Sequence, residues 1–127
     1  MTRMVPYLTV HDGAAAIEFY AAAFGAKESG ERYDEEDGRI GFVALEVDGE
    51  PLYLSDENHR YGAYAPRTLG HGTSSVVLHV ADADASYARA VAAGATVDRE
   101  PQDQGDERRG WLFDPFGHHW AICSPLG

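Results

Sequence analysis

The sequence predicts an α+β domain in which one βαβββ unit is written twice. Two short apolar segments, "YLTVHD" at 7–12 and "VLHVAD" at 77–82, lie seventy residues apart and each runs into an aspartate. Each aspartate precedes an alanine-rich stretch that a glycine ends, and "GA" recurs at Gly25–Ala26 and Gly94–Ala95. Three strand-like segments then follow in both halves, so the period is that of a whole supersecondary unit.

Val5–Val10 is a short apolar strand, and Asp12 is placed to cap a helix over Gly13–Phe24. Gly25 follows it, the residue expected at a left-handed helix end. Strands are expected at Lys27–Tyr33, at Arg39–Val47 beyond the "DEEDG" turn, and at Glu50–Leu54. Asp48-Gly49 between the last two is a strong hairpin signal. The second half repeats the order. Ser75–Val80 is a strand, Asp82 caps a helix over Ala83–Ala93, and Gly94 stops it. Strands follow at Ala95–Arg99, Gly110–Phe113 and His118–Ser124, the last two joined by a tight Asp114-Pro115-Phe116-Gly117 turn. The chain is thus expected to be one domain, 1–127, of two modules, 4–55 and 74–125, joined by a loop at 56–73. That loop is long and aperiodic. Its Tyr61, Tyr64 and Pro66 fit a flap over a pocket, and a plain surface crossover fits equally.

Ten Lys and Arg against twenty-one Asp and Glu give a net charge of −11. This argues against nucleic acid and anionic membranes as partners and favours cationic ligands. Cys123 is the only cysteine, which excludes an internal disulfide and points to a reducing, cytoplasmic setting. Late in a strand and without a catalytic partner in sequence, it is expected to act as a small buried hydrophobe. No apolar run reaches membrane-spanning length, and "MTRMVPYLTV" has no secretory pattern. Ser74-Ser75 lacks a nucleophile-elbow context, "GHG" at 70–72 precedes a strand, and Asp34–Asp37 has no calcium-loop spacing.

A doubled βαβββ with "AIEFY…FGA" in the first helix and "DPFGHHWAI" before the last strand resembles the vicinal oxygen chelate superfamily. That group comprises glyoxalases, bleomycin-resistance proteins and dioxygenases, and the chain looks closest to the PhnB-like branch. The resemblance covers Val5 to Ser124. It implies a cupped mixed sheet, a homodimer and, in the superfamily's metalloenzymes, a divalent ion held by His or Glu from four strands. Counted from the motifs, those positions fall at Val5, Tyr53, Ser75 and Ala121. These residue types make no divalent-metal site, so neither a metal, another cofactor nor a catalytic residue is expected.

Strand alternation places His119, Ala121 and Cys123 on one face and His118, Trp120 and Ile122 on the other. The expected ligand-binding set is Tyr7, Thr9, Tyr53, Tyr61, Tyr64, Ser75, Val77, His79, Trp111, Phe113 and His119. An aromatic lining with a few polar tips suits a small molecule. By resemblance to the metal-free bleomycin-resistance type, the expected function is sequestration of an aromatic or cationic natural product in a crevice shared by two subunits. The alternative is a lyase, isomerase or dioxygenase with a displaced metal on His79, His119 and Glu46, or with one histidine as a general base. The remaining histidines, His11, His59 and His71, are expected to be solvated.

Overall fold

The computed structural model describes residues 1–126 of the chain. The first unit runs β1 (Tyr7–Val10), α1 (Gly13–Phe24), β2 (Lys27–Asp34), β3 (Ile40–Val47) and β4 (Glu50–Asp56). A connection carrying a 3₁₀ turn, His59–Tyr61, and the short helix α2 (Pro66–Leu69) leads to the second unit. That unit runs β5 (Ser75–His79), α3 (Ala83–Ala93), β6 (Thr96–Gln104), β7 (Glu107–Phe113) and β8 (His119–Pro125). Strand order is β1-β4-β3-β2 in one sheet and β5-β8-β7-β6 in the other, so each unit closes the same mixed four-stranded sheet. The first strand pairs parallel with the last in both.

The repeat extends to the helix starts. Asp12 and Asp82 each accept from the amide three residues on, at 3.1 Å. The amide after each cap is held by the last strand of its own sheet. Gly13 donates to Asp56 at 2.8 Å, and Ala83 donates to the Ser124 hydroxyl at 2.9 Å. Asp48 and Gly49 both have positive φ, 52° and 87°, which closes the two-residue hairpin that Asp-Gly favours.

Each sheet turns one face to the helices. Val43, Leu45 and Leu54 of the first and Leu112, Trp120 and Ile122 of the second are buried there with Tyr20 of α1. Each such side chain contributes about 1.5–3 kcal/mol by leaving water. The two units join through this layer. The Arg89 guanidinium of α3 donates to the Ala22 carbonyl at 2.7 Å, meeting the last carbonyls of α1 with a cation. His118 Nε2 donates to the Thr9 carbonyl of β1 at 2.8 Å and ties the second unit to the first.

Most strand ends lie within one or two residues of expectation, and three differences have a clear physical cause. β1 starts at Tyr7 rather than Val5, because Pro6 has no amide to donate to a ladder. The stretch 56–73 is not a featureless loop: Pro66 opens α2 at the position where proline suits a helix. The third hairpin reaches from Thr96 to Phe113, through Gln104 and Glu107 at its tip. Its outer half, "EPQDQGDERR", has no apolar alternation because both faces are exposed or half-exposed.

Candidate functional site

The "DPFGHHW" turn is structural. Asp114 is buried, and its carboxylate accepts from the Phe116 and His118 amides at 2.9 and 3.0 Å and from Trp120 Nε1 at 2.9 Å. The Tyr20 hydroxyl of α1 donates to the same carboxylate. Burial, reinforced by that carboxylate, pushes the Tyr20 phenol well above its ordinary range. His118 serves the junction between units, so only His119 of the pair faces away from the helices.

That second face of the β5-β8-β7-β6 sheet gathers most of the candidate residues. Ser75 pairs with His119, Val77 with Ala121 and His79 with Cys123 across β5 and β8. Trp111 pairs with Ala121 and Phe113 with His119 across β7 and β8. The His119 ring stacks on both Trp111 and Phe113, with centroids 4.7 and 4.6 Å away and planes within 24°. The Arg99 guanidinium of β6 lies 5.1 Å from the Trp111 ring centre, a cation–π contact.

Both nitrogens of His119 are engaged. Nδ1 lies 2.8 Å from the Ser75 hydroxyl, and Nε2 lies 2.9 Å from an Asp98 carboxylate oxygen. A carboxylate only accepts, so Nε2 donates, and in the neutral ring Nδ1 accepts from Ser75. Asp98 was not legible in the sequence as a site residue. The β6–β7 register shifts between Val97 and Arg99, and this bulge brings Asp98 to His119. The result is a Ser–His–Asp chain on an open sheet face, without the elbow expected of a hydrolase nucleophile.

The first sheet offers a separate aromatic group. Tyr7, Phe42 and Tyr53 meet edge to face with centroids 5.0–6.1 Å apart. Thr9 shares that face beside Ser55. Tyr61 reaches its rim, where a cavity of about 290 Å³ lies between Tyr7, Tyr33 and Tyr61. Tyr64 turns away and stacks on His59 at 4.4 Å. The expected residues are therefore assembled as two sets, one on each sheet, and the aromatic contacts on the open faces stay within one sheet. Both faces are open: Tyr7 is 52%, Val77 53% and Phe113 39% exposed.

His79 and His119 do not converge. They lie four residues apart along the face, since His79 aligns with Cys123 and His119 with Ser75. Glu46 belongs to the other sheet, opposite Lys27 and Pro51. The positions at which the resemblance would set a chelated metal do not fit one. Val5 and Ala121 have no donor atom, the Ser75 hydroxyl is taken by His119, and Tyr53 accepts from Arg3 at 3.5 Å. His11 departs from expectation: its ring packs on Phe116 at 5.4 Å, and its Nδ1 is buried without a partner among the described residues. Cys123 is buried, as expected of it, yet its neighbours are the polar His79, Glu107 and Arg109.

The sequence model of the Glyoxalase/Bleomycin resistance protein/Dioxygenase superfamily matches residues 3–122. An uncharacterized protein of Mycobacterium bovis is 40% identical over 126 residues, covering 95% of this chain and 82% of its own. Among solved structures, TioX from Micromonospora sp. ML1 superposes with a TM-score of 0.73 at 24% identity, covering 99% of this chain and 98% of TioX. The fosfomycin resistance protein FosX from Listeria monocytogenes gives 0.71 at 14% identity over 99% and 94%. At those identities the structural likenesses speak for the fold.

Proposed function

The chain belongs to the glyoxalase/bleomycin resistance protein/dioxygenase superfamily, and on that footing we propose that it is a homodimeric small-molecule-binding protein of the bleomycin-resistance type. It sequesters a planar aromatic natural product without a metal at the superfamily's chelate positions, and so confers resistance to it. The observation that carries this reading is the row Arg99, Trp111, His119 and Phe113, displayed on an open sheet face. Rings so arranged present flat apolar area with polar tips at Ser75 and Asp98, the make-up of a small-molecule site. Of the two ligand types that the charge allows, the aromatic one is favoured, because Arg99 already holds the cation position over Trp111.

A second copy completes the crevice. In one chain the aromatic contacts of each open face stay within its own sheet, and a partner that lays its first sheet over this second sheet encloses a ligand between both aromatic sets. Such a partner also covers the exposed Tyr7, Val77 and Phe113. Light scattering on the purified protein is expected to give a dimer; a monomer at micromolar concentration overturns the shared crevice. Titration against a panel of planar antibiotics, read by tryptophan fluorescence and calorimetry, tests the binding itself. Saturable quenching with one ligand class supports it, and no response across the panel removes it.

The Asp98–His119–Ser75 chain favours a second reading, an enzyme in which His119 draws a proton from substrate through the Ser75 hydroxyl. Mass spectrometry of the recovered ligand separates the two. A sequestering protein returns the ligand unchanged, and an enzyme returns a product whose formation His119→Ala abolishes.

A further inference from the structure

At the opposite end of the same sheet face, about 13 Å along β5 from Ser75 at the usual strand rise, three unlike side chains converge. A ring nitrogen of His79, the Cys123 sulfur and a Glu107 carboxylate oxygen all lie within 4.8 Å of one another. They come from three adjacent strands, β5, β8 and β7. The sheet's own pairing brings them together, with His79 and Arg109 flanking Cys123 on either side. We infer that His79, Cys123 and Glu107 form a binding site for a borderline-soft divalent metal, zinc above all, with a fourth position open to water or to a ligand.

The donor set suits that ion and few others. Thiolate and imidazole exclude magnesium and calcium, which take oxygen, and a single carboxylate beside them is compatible with tetrahedral zinc. Charge balances as well. The thiol loses its proton to solvent on binding, so thiolate, carboxylate and neutral imidazole together carry two negative charges against the ion's two positive. Bond lengths of about 2.0–2.3 Å set tetrahedral ligand atoms about 3.5 Å apart, so the cluster contracts by about 1 Å. The exposed His79 side chain supplies that movement. Arg109 donates from Nε to one Glu107 oxygen at 2.8 Å. A carboxylate ligand fixed from behind in this way is the usual outer arrangement of a metal site. Cys123 is 1% exposed, so the sulfur is held in place and shielded from other reactions.

The test uses tag-free protein stripped with a chelator and titrated with cobalt(II). One equivalent is expected to produce a near-ultraviolet thiolate-to-cobalt charge-transfer band with tetrahedral visible bands, all bleached by zinc. Cys123→Ser is expected to lose the sulfur band. Because Cys123 is in the core, the decisive variant is the exposed His79→Ala, expected to fold normally by circular dichroism and to bind cobalt about tenfold more weakly or worse. His119→Ala is expected to bind it unchanged. Absence of a sulfur band at millimolar cobalt overturns the site, and so does unaltered affinity in His79→Ala or loss of binding in His119→Ala. The result is independent of the proposed function: an aromatic panel without a ligand removes that reading and leaves the metal site standing.

Discussion

The His119 imidazole lies flat against the Trp111 indole, ring centres 4.7 Å apart, although the two residues stand on adjacent antiparallel strands and are not directly paired. The contact is diagonal, which is what lets His119 reach Phe113 as well. Stacking of this kind is worth about 0.5–1.5 kcal/mol beyond the area it buries. Trp111→Ala is therefore expected to weaken binding of a planar ligand about 2- to 12-fold, and Trp111→Phe to recover most of it. Calorimetry with the ligand found in the panel gives the ratio directly; equal affinity in Trp111→Ala refutes the assignment of the site to this face.

The pairing of His119 with Asp98 fixes a tautomer. Only a carboxylate faces Nε2, so neutral His119 carries its proton there. Nitrogen-resolved NMR at about pH 8 is expected to report Nε2–H as the dominant form in the native protein. In Asp98→Ala the preference is expected to collapse toward the mixture of a free imidazole. An Nδ1–H form in the native protein contradicts the hydrogen-bond chain.

Asp114 holds four donors from three parts of the molecule. Asp114→Ala strands the Tyr20 hydroxyl and the Trp120 indole N–H in the core, each at about 1–3 kcal/mol. A loss of about 3 kcal/mol or more is expected, seen as a fall in Tm of about 10 °C or more. Tyr20→Phe removes one donor and leaves no orphan but the carboxylate's spare lone pair, so its cost is expected to be clearly smaller. Equal losses in the two variants refute the hub.

Glu57 anchors the connection between units. Partial burial works to raise its carboxyl, but hydrogen bonds from Thr68, the Ala65 amide and His59 outweigh it and hold the group below its ordinary range. A carboxyl depressed in the folded state binds its proton more readily when unfolded. Its contribution is complete above the unfolded value, about 4.3, and disappears as pH falls through the lower folded value. Urea melts are expected to show native protein more stable than Glu57→Gln at pH 7, with the gap narrowing as the pH falls below the unfolded value. A gap that widens in acid gives the wrong sign and refutes the arrangement.

Much of this molecule was legible locally. The repeat, both aspartate caps, the glycine stops, the Asp-Gly hairpin and the two-residue alternation of β8 depend on neighbours within a few residues, and period and propensity record such neighbours. From alternation alone His119 parts from His118, and Ser75, Val77 and His79 share a face. The tertiary structure decided what that face does. Asp98 joins His119 only through a register shift in β6, which no local pattern marks. Asp114 and Tyr20 are 94 residues apart and meet in the core. Cys123 reads in sequence as an apolar filler, and only the pairing of β5, β8 and β7 places His79 and Glu107 beside its sulfur. Register and the meeting of two sheets are set by the sum of many distant contacts, so the sequence by itself determined which residues point outward, and the tertiary structure decided which of them meet.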